Sequence, residues 1–201
     1  MVFLEKILDL KLLNKMRLVG GFLKGKRINN PLDKLTRPLK DLVRESIFNI
    51  ITHSKDEYIN LKNAKVLDLF SGTGSFGIEC ISRGAKEVYF FENYKKSLKV
   101  LKKNIEILNL KKEANIFDKD IYKNNLDLKN IKFEIVFLDP PFKDSKINLL
   151  LKKIRDSGVV SKNTLIIIHR NKKTKEEFKN ELNISREQIY GISKIIFGKI
   201  Y

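Results

Sequence analysis

The sequence predicts an α/β protein. The expected architecture is a mainly parallel, doubly wound sheet of seven strands with an antiparallel C-terminal strand, preceded by a short basic hairpin and helix. Three observations lead there. From Ala64 onward, short apolar runs alternate with segments of helical periodicity. Several of those runs (KVLDLF, EIVFLD, TLIIIH) are unbroken, as expected of strands covered by helices on both faces. Before Ala64 the chain is basic and punctuated by glycine, with no such alternation.

Taken in order, residues 1 to 15 place Val2, Leu4, Ile7, Leu8, Leu10, Leu12 and Leu13 on a short amphipathic helix. Residues 16 to 44 follow with Arg17, Lys24, Lys26, Arg27, Lys34, Arg37, Lys40 and Arg44 against Asp33 and Asp41. Gly20-Gly21, Gly25 and Asn29-Asn30-Pro31 are turn signals, so a hairpin is expected. A helix over 40–52 carries Leu42, Val43, Ile47, Phe48 and Ile51 at helical spacing. Expected strands are 65–70, 87–92, 114–118, 133–138, 164–169, 188–190 and 194–201. Expected helices are 75–82, 95–108, 121–125, 146–156 and 173–182. No internal repeat or Pro/Ser-rich linker interrupts the pattern.

Composition narrows the function. The chain has 201 residues and a net charge of +17. That excess favours a polyanionic partner, because each Lys or Arg that neutralises a phosphate releases counterions. No run of about 18 apolar residues is present, so no membrane span is expected. The single cysteine, Cys80, excludes an internal disulfide framework and fits a reducing, cytoplasmic setting. It also disfavours chemistry that needs two cysteines, such as carbon methylation of a pyrimidine. His53 and His169 are far apart and no Cys/His cluster exists, so no metal is expected. His169 reads as a satisfied strand-end histidine, or as one lining the site.

Two motifs carry the chemistry. VLDLFSGTGSFG runs from strand through glycine turn to helix, and Ser71, Gly72, Thr73 and Gly74 form the turn. In doubly wound sheets ligands bind beyond the carboxyl ends of the strands. Gly72, Gly74 and Gly77 match the dinucleotide fingerprint, a weak signal alone. Asp68, just before the turn, repels a pyrophosphate but suits an ammonium. Glu92, followed by Asn93, ends the next strand, where an acid can hold ribose hydroxyls. A cationic, phosphate-free nucleoside with an amino-acid tail satisfies both acids, and S-adenosylmethionine is that molecule. Asp120 is a candidate for the adenine amino group and Ile121 for a wall of its ring. Asp118 competes for that role, and the alternative reading of Asp120 is a helix N-cap.

The second motif is VFLDPPF, in which Asp139, Pro140, Pro141 and Phe142 follow a strand at once. A turn explains one proline there, but not an acid, two prolines and an aromatic in a row. Methyl transfer to a planar exocyclic amine explains all four. Asp139 and the Pro140 carbonyl can each accept an amine N–H, which turns the nitrogen lone pair toward the methyl. Pro140 has no N–H to intrude, and Pro141 keeps Pro140 extended. Phe142 can stack on the base, worth about 1–3 kcal/mol. The base must leave its stack or lie unpaired to enter.

MRLVGGFLKGKRI, TRPLKDLVRESIFNII, VLDLFSGTGSFGIECISRGAKEV and VFLDPPF occur in that order. Together they resemble the bacterial RsmD family, which methylates the N2 amine of a guanine in 16S ribosomal RNA with S-adenosylmethionine. The resemblance spans residues 16 to about 142 and implies a Rossmann-like methyltransferase fold. It implies cofactor contacts from Asp68, Phe70, Gly72 and Gly74, with Glu92 on the ribose and Asp120 near adenine. It implies amine contacts from Asp139, Pro140 and Phe142, and RNA contacts from Arg17, Lys26, Arg27 and Arg37. Lys24 and Arg44 share that basic segment. Residues 16–52 are then the RNA-facing hairpin and helix, and 53–201 the methyltransferase domain. Residues 1–15 are either an upstream extension or a docking helix, because the family typically begins at the stretch found here at Met16. Leu39-Lys40 replace the hydroxyl residues that usually follow Arg-Pro. The expected partner is 16S RNA, free or within a small ribosomal subunit, met by a monomer. The motif alone leaves open a DNA adenine-N6 or cytosine-N4 methyltransferase, and an inactive RNA-binding module or an oxidoreductase are the remaining alternatives. A separate DNA-reading domain does not fit in the chain.

Overall fold

The computed structural model describes residues 15–30, 39–128, 130–178 and 181–200. A two-stranded antiparallel hairpin comes first, β1 (Lys15–Arg17) against β2 (Arg27–Asn29). Helix α1 (Asp41–His53) follows, then β3 (Lys65–Leu69), α2 (Ser75–Ser82), β4 (Glu87–Phe91), α3 (Lys95–Ile107) and β5 (Ala114–Phe117). The second half contributes β6 (Ile135–Leu138), α4 (Ile147–Asp156), β7 (Leu165–Asn171), β8 (Asn183–Tyr190) and β9 (Ser193–Lys199).

The seven-stranded sheet has the order β5-β4-β3-β6-β7-β9-β8. All pairings from β5 to β7 are parallel, and β9 lies antiparallel to both β7 and β8. β9 therefore runs alone against the other strands, as expected of the C-terminal one. The chain builds outward from β3 to β5, then returns to place β6 on the other side of β3. That reversal opens a crevice at the carboxyl ends of β3 and β6.

Strand periodicity builds two cores, because alternate residues face opposite sides of the sheet. Val66, Val88, Phe90, Ile135, Phe137 and Ile167 face α1, α2, α3 and the hairpin. Leu67, Leu69, Phe91, Val136, Leu138 and Ile168 face α4 and the segment around Ile121 to Phe133. Helix α1 presents Val43, Ile47, Phe48 and Ile51 inward. Phe48 stacks on Phe76 at 5.3 Å, and Phe76 on Phe137 at 3.9 Å. Burying each such ring contributes about 1.5–3 kcal/mol. Met16, Leu18, Leu23 and Ile28 join the same cluster, so hairpin and α1 share a core with the sheet.

Two expected helices do not occur among the described residues. Residues 121–125 form only a turn anchored on Asp120. Residues 173–178 carry no regular helix, because Arg170 draws Glu176 down onto β7. β8 is longer than expected; its charged sequence hides it, as befits an edge strand. Residues 1–14, where most of the expected N-terminal helix falls, lie outside the described residues, as does Arg37. No helix among the described residues is long and apolar enough to cross a membrane.

Candidate active site

Register assembles the site. Leu69 pairs with both Phe91 and Leu138, Phe91 with Phe117, and Leu138 with Ile168. The next residues along these strands are Phe70, Glu92, Asp118, Asp139 and His169, so they form one row at the carboxyl edge of the sheet. Three acids and a histidine thus share the carboxyl edge of the sheet for a single geometric reason, the common direction of five parallel strands.

Asp68 sits just inside that row and is buried. Its Oδ2 accepts the Gly77 N–H at 3.0 Å, while Oδ1 is buried without a partner. Burial, with Asp139 and Glu92 nearby and only the Gly77 N–H in opposition, pushes its carboxyl well above the usual range. Gly77 is glycine because a Cβ would stand 2.3 Å from the Phe90 ring, so α2 packs tightly against β4. The turn is strained at Phe70, a non-glycine residue at φ 59°, and passes through Gly72 and Gly74 at φ 57° and 83°. Ser71 Oγ donates to the Asp68 carbonyl at 2.6 Å, so this hydroxyl braces the turn. Thr73 is buried, and its carbonyl accepts from Asn104 Nδ2 at 3.0 Å.

Glu92 clasps the same turn. Oε2 accepts from Gly72 N and Oε1 from Tyr94 N, both at 2.7 Å. Burial nevertheless raises its carboxyl above the usual range. The Asn93 N–H also bonds to this carboxylate, whose remaining lone-pair capacity is open to a ligand hydroxyl. Asn93 is exposed beside it. Asp120 Oδ1 caps its own turn by accepting from Tyr122 N at 2.9 Å, and Ile121 is buried. Asp118 instead pairs with Lys95 at 2.5 Å. Phe70 and Tyr122 stand 5.8 Å apart as an apolar wall.

The Asp-Pro-Pro-Phe loop is held from β7. Asp139 Oδ1 lies 2.8 Å from His169 Nδ1, and His169 Nε2 lies 2.9 Å from Ser193 Oγ. The Phe142 ring meets the imidazole edge-on at 5.4 Å. Arg170, fully buried, donates from Nη1 to the Pro141 carbonyl at 3.1 Å and from Nη2 to the Asp144 carbonyl. It also grips Glu176 through two nitrogens. Arg170 escaped the sequence reading because no local pattern marks a buried arginine.

Arg44, expected among the RNA-facing cations, is instead fully buried. Its guanidinium meets Asp41 at 3.0 Å, Glu79 at 3.6 Å and the Arg17 carbonyl. Glu79 in turn accepts the Val19 N–H at 2.9 Å, and Ser82 Oγ bonds Gly20 and Leu23. Arg44 therefore docks the hairpin onto α2. Arg17, Lys24, Lys26 and Arg27 are exposed on that docked hairpin. Among the described residues no cluster of His, Cys, Asp and Glu could hold a metal.

Known proteins resemble this chain in sequence and in fold. Residues 16–199 match the family model described as Conserved hypothetical protein 95. Ribosomal RNA small subunit methyltransferase D of Buchnera aphidicola subsp. Acyrthosiphon pisum is 32% identical over 165 residues, 80% of this chain and 80% of that one. Its Haemophilus influenzae namesake is 31% identical over 163 residues, 79% and 80% of the two chains. Among solved structures, the yhhF protein of Escherichia coli, a methyltransferase by name, superposes with a TM-score of 0.76. That pair is 24% identical, covering 92% of this chain and 98% of that one, and the likeness is one of fold.

Proposed function

This chain belongs to the RsmD family, and from that premise we propose that it methylates the exocyclic N2 amine of a guanine in 16S ribosomal RNA. Methyl transfer to ribosomal RNA is the activity its relatives are named for; the guanine and its N2 position are the finer reading. The observation that carries it is Asp139, followed by two prolines and a phenylalanine, at the crevice that also holds Asp68 and Glu92.

The residues fit S-adenosylmethionine. Asp68 Oδ1, buried and unpartnered, suits the ammonium of the amino-acid tail. Glu92, its oxygens already aimed by the backbone N–H groups of Gly72, Asn93 and Tyr94, suits the ribose hydroxyls. Phe70, Gly72, Gly74 and Asn93 would border the bound ribose, Ile121 would form a wall for the adenine ring, and Asp120 would hold its amino group. When bound, the cofactor supplies an electrophilic methyl and a thioether leaving group.

The protein's own part is placement. The free Oδ2 of Asp139 and the Pro140 carbonyl accept the two amine hydrogens, directing the nitrogen lone pair out of conjugation with the ring. Phe142 stacks on the base face. The nitrogen gains a methyl and releases one proton. Arg17, Lys24, Lys26 and Arg27 meet RNA phosphates along the hairpin, and Arg37 extends that set in sequence.

The test is transfer of labelled methyl to free 16S RNA and to small subunits from a strain lacking the modification, followed by nucleoside analysis. Label in N2-methylguanosine is expected. Label in adenosine or cytidine, or in DNA alone, overturns the proposal.

A further inference from the structure

We propose that His169 is a positioning residue for methyl transfer, holding Asp139 and Phe142 in the geometry the amine requires. This inference rests on the functional reading above. Its ground is the pair of contacts made by one imidazole to both ends of the Asp-Pro-Pro-Phe motif. His169 Nδ1 lies 2.8 Å from Asp139 Oδ1, and the ring meets Phe142 at 5.4 Å in an edge-on arrangement.

The proton placement follows from the partners. An ionised carboxylate only accepts, so Nδ1 carries the hydrogen and donates to Asp139. In the neutral ring Nε2 is then the acceptor, and Ser193 Oγ donates to it at 2.9 Å. Ser193 is buried at the start of β9, antiparallel to β7, so the tautomer is set by the sheet. The consequence lies at Asp139. With Oδ1 engaged, its carboxylate cannot rotate freely, and Oδ2 is the oxygen left for the amine. The side chain of Asp139 is 21% exposed and that of His169 is 7% exposed, so the acid reaches the crevice while its brace stays behind it.

A histidine that is merely satisfied by its neighbours predicts different behaviour from a positioning one. Asparagine at 169 presents an amide where Nδ1 stands and can keep the bond to Asp139. Glutamine presents one nearer Nε2 and keeps the Ser193 contact instead. The experiment measures kcat, the KM for S-adenosylmethionine and the melting temperature for wild type, H169A, H169N and H169Q. The acceptor is whichever RNA nucleoside the wild type methylates, so an error about guanine leaves the test standing. H169A is expected to lose about 10- to 100-fold in kcat, the scale of a misplaced catalytic group. Its cofactor KM should change by less than about threefold, because Asp68 and Glu92 are untouched. H169N should recover most of the kcat, and H169Q should not. A wild-type kcat in H169A, or H169Q matching H169N at equal thermal stability, overturns the inference. Absence of transfer by the wild type to any RNA overturns the functional reading itself. Imidazole nitrogen resonances give a readout that needs no turnover. An Nδ1–H tautomer in the wild type that is lost in D139A supports the arrangement, and an Nε2–H tautomer refutes it.

Discussion

Arg170→Met isolates the residue that holds the Asp-Pro-Pro-Phe loop while preserving side-chain length. Arg170 is fully buried, and the Glu176 side chain is only 10% exposed. Four donor contacts vanish on substitution: Nη1 to the Pro141 carbonyl, Nη2 to the Asp144 carbonyl, and two to Glu176. Methionine fills the volume but leaves a nearly buried carboxylate uncompensated. Breaking a buried pair by removing one partner costs about 3–5 kcal/mol. For a chain of this size each kcal/mol moves the melting temperature by about 2–4 °C, so a fall of about 6–20 °C is expected. Removing both charges with R170M/E176Q should recover part of the loss, since no unpaired carboxylate then remains. Thermal and denaturant unfolding of the four proteins of this cycle gives the coupling between the two residues. Turnover should fall further than stability explains at a temperature where all four are folded, because Pro141 loses its tether. A loss below about 1 kcal/mol for R170M, with unchanged turnover, would refute the assignment.

Asp139→Ala should abolish methyl transfer while titration calorimetry finds cofactor binding nearly intact; unchanged turnover excludes Asp139 from the chemistry. Glu92→Ala should weaken the cofactor, and equal affinity would count against the ribose assignment. Asp68→Asn tests the raised carboxyl. As pH rises, the unfolded carboxylate ionises before the folded one, so wild-type stability falls from the unfolded pKa upward until the folded pKa is passed. D68N lacks that slope: it should exceed the wild type in denaturant unfolding at pH 7 and match it below about pH 4. Parallel pH profiles for the two proteins would contradict a buried carboxyl whose Oδ1 has no partner. Neutralising Arg17, Lys24, Lys26 and Arg27 together should weaken RNA binding and reduce the slope of log affinity against log salt by up to about 3. Arg44→Met should instead destabilise the fold and leave that slope unchanged, the opposite of what an RNA-facing arginine gives.

The carboxyl edge of the sheet was legible because its signals are local and repeated. An apolar run that stops on an acid reads as a buried strand with a functional end, and register then aligns Glu92 and Asp139 without further information. Phe70 was reached through family resemblance; its positive φ has no sequence signature of its own. The expected helix over 173–182 shows the limit. Lys173-Thr174-Lys175-Glu176-Glu177 has good helix formers, but the bond from Arg170 to Glu176 outweighs a preference of a few tenths of a kcal/mol per residue. His169 was visible as a strand-end histidine. Its partners come from a loop 30 residues before it and a strand 24 residues after it, which no local window joins.

Charge illustrates the same limit. A net charge of +17 treats every arginine alike, yet Arg44 and Arg170 are internal braces. One holds the hairpin to α2, and the other holds the motif loop to β7. The exposed cations of the hairpin are then Lys15, Arg17, Lys24, Lys26 and Arg27, and their position is fixed by what lies beneath them. Asn104 on α3 accepts from Asn29 N at 2.8 Å and donates to the Asn29 carbonyl at 3.1 Å, pinning β2. The same amide donates to the Thr73 carbonyl of the glycine turn at 3.0 Å. The strand that carries Arg27 and the turn that carries Gly72 are thus joined through one side chain. A hairpin placed by Arg44, Glu79 and Asn104 cannot shift without disturbing the turn. The basic hairpin is thereby held in a fixed position relative to the glycine turn and, through it, to the carboxyl edge of the sheet.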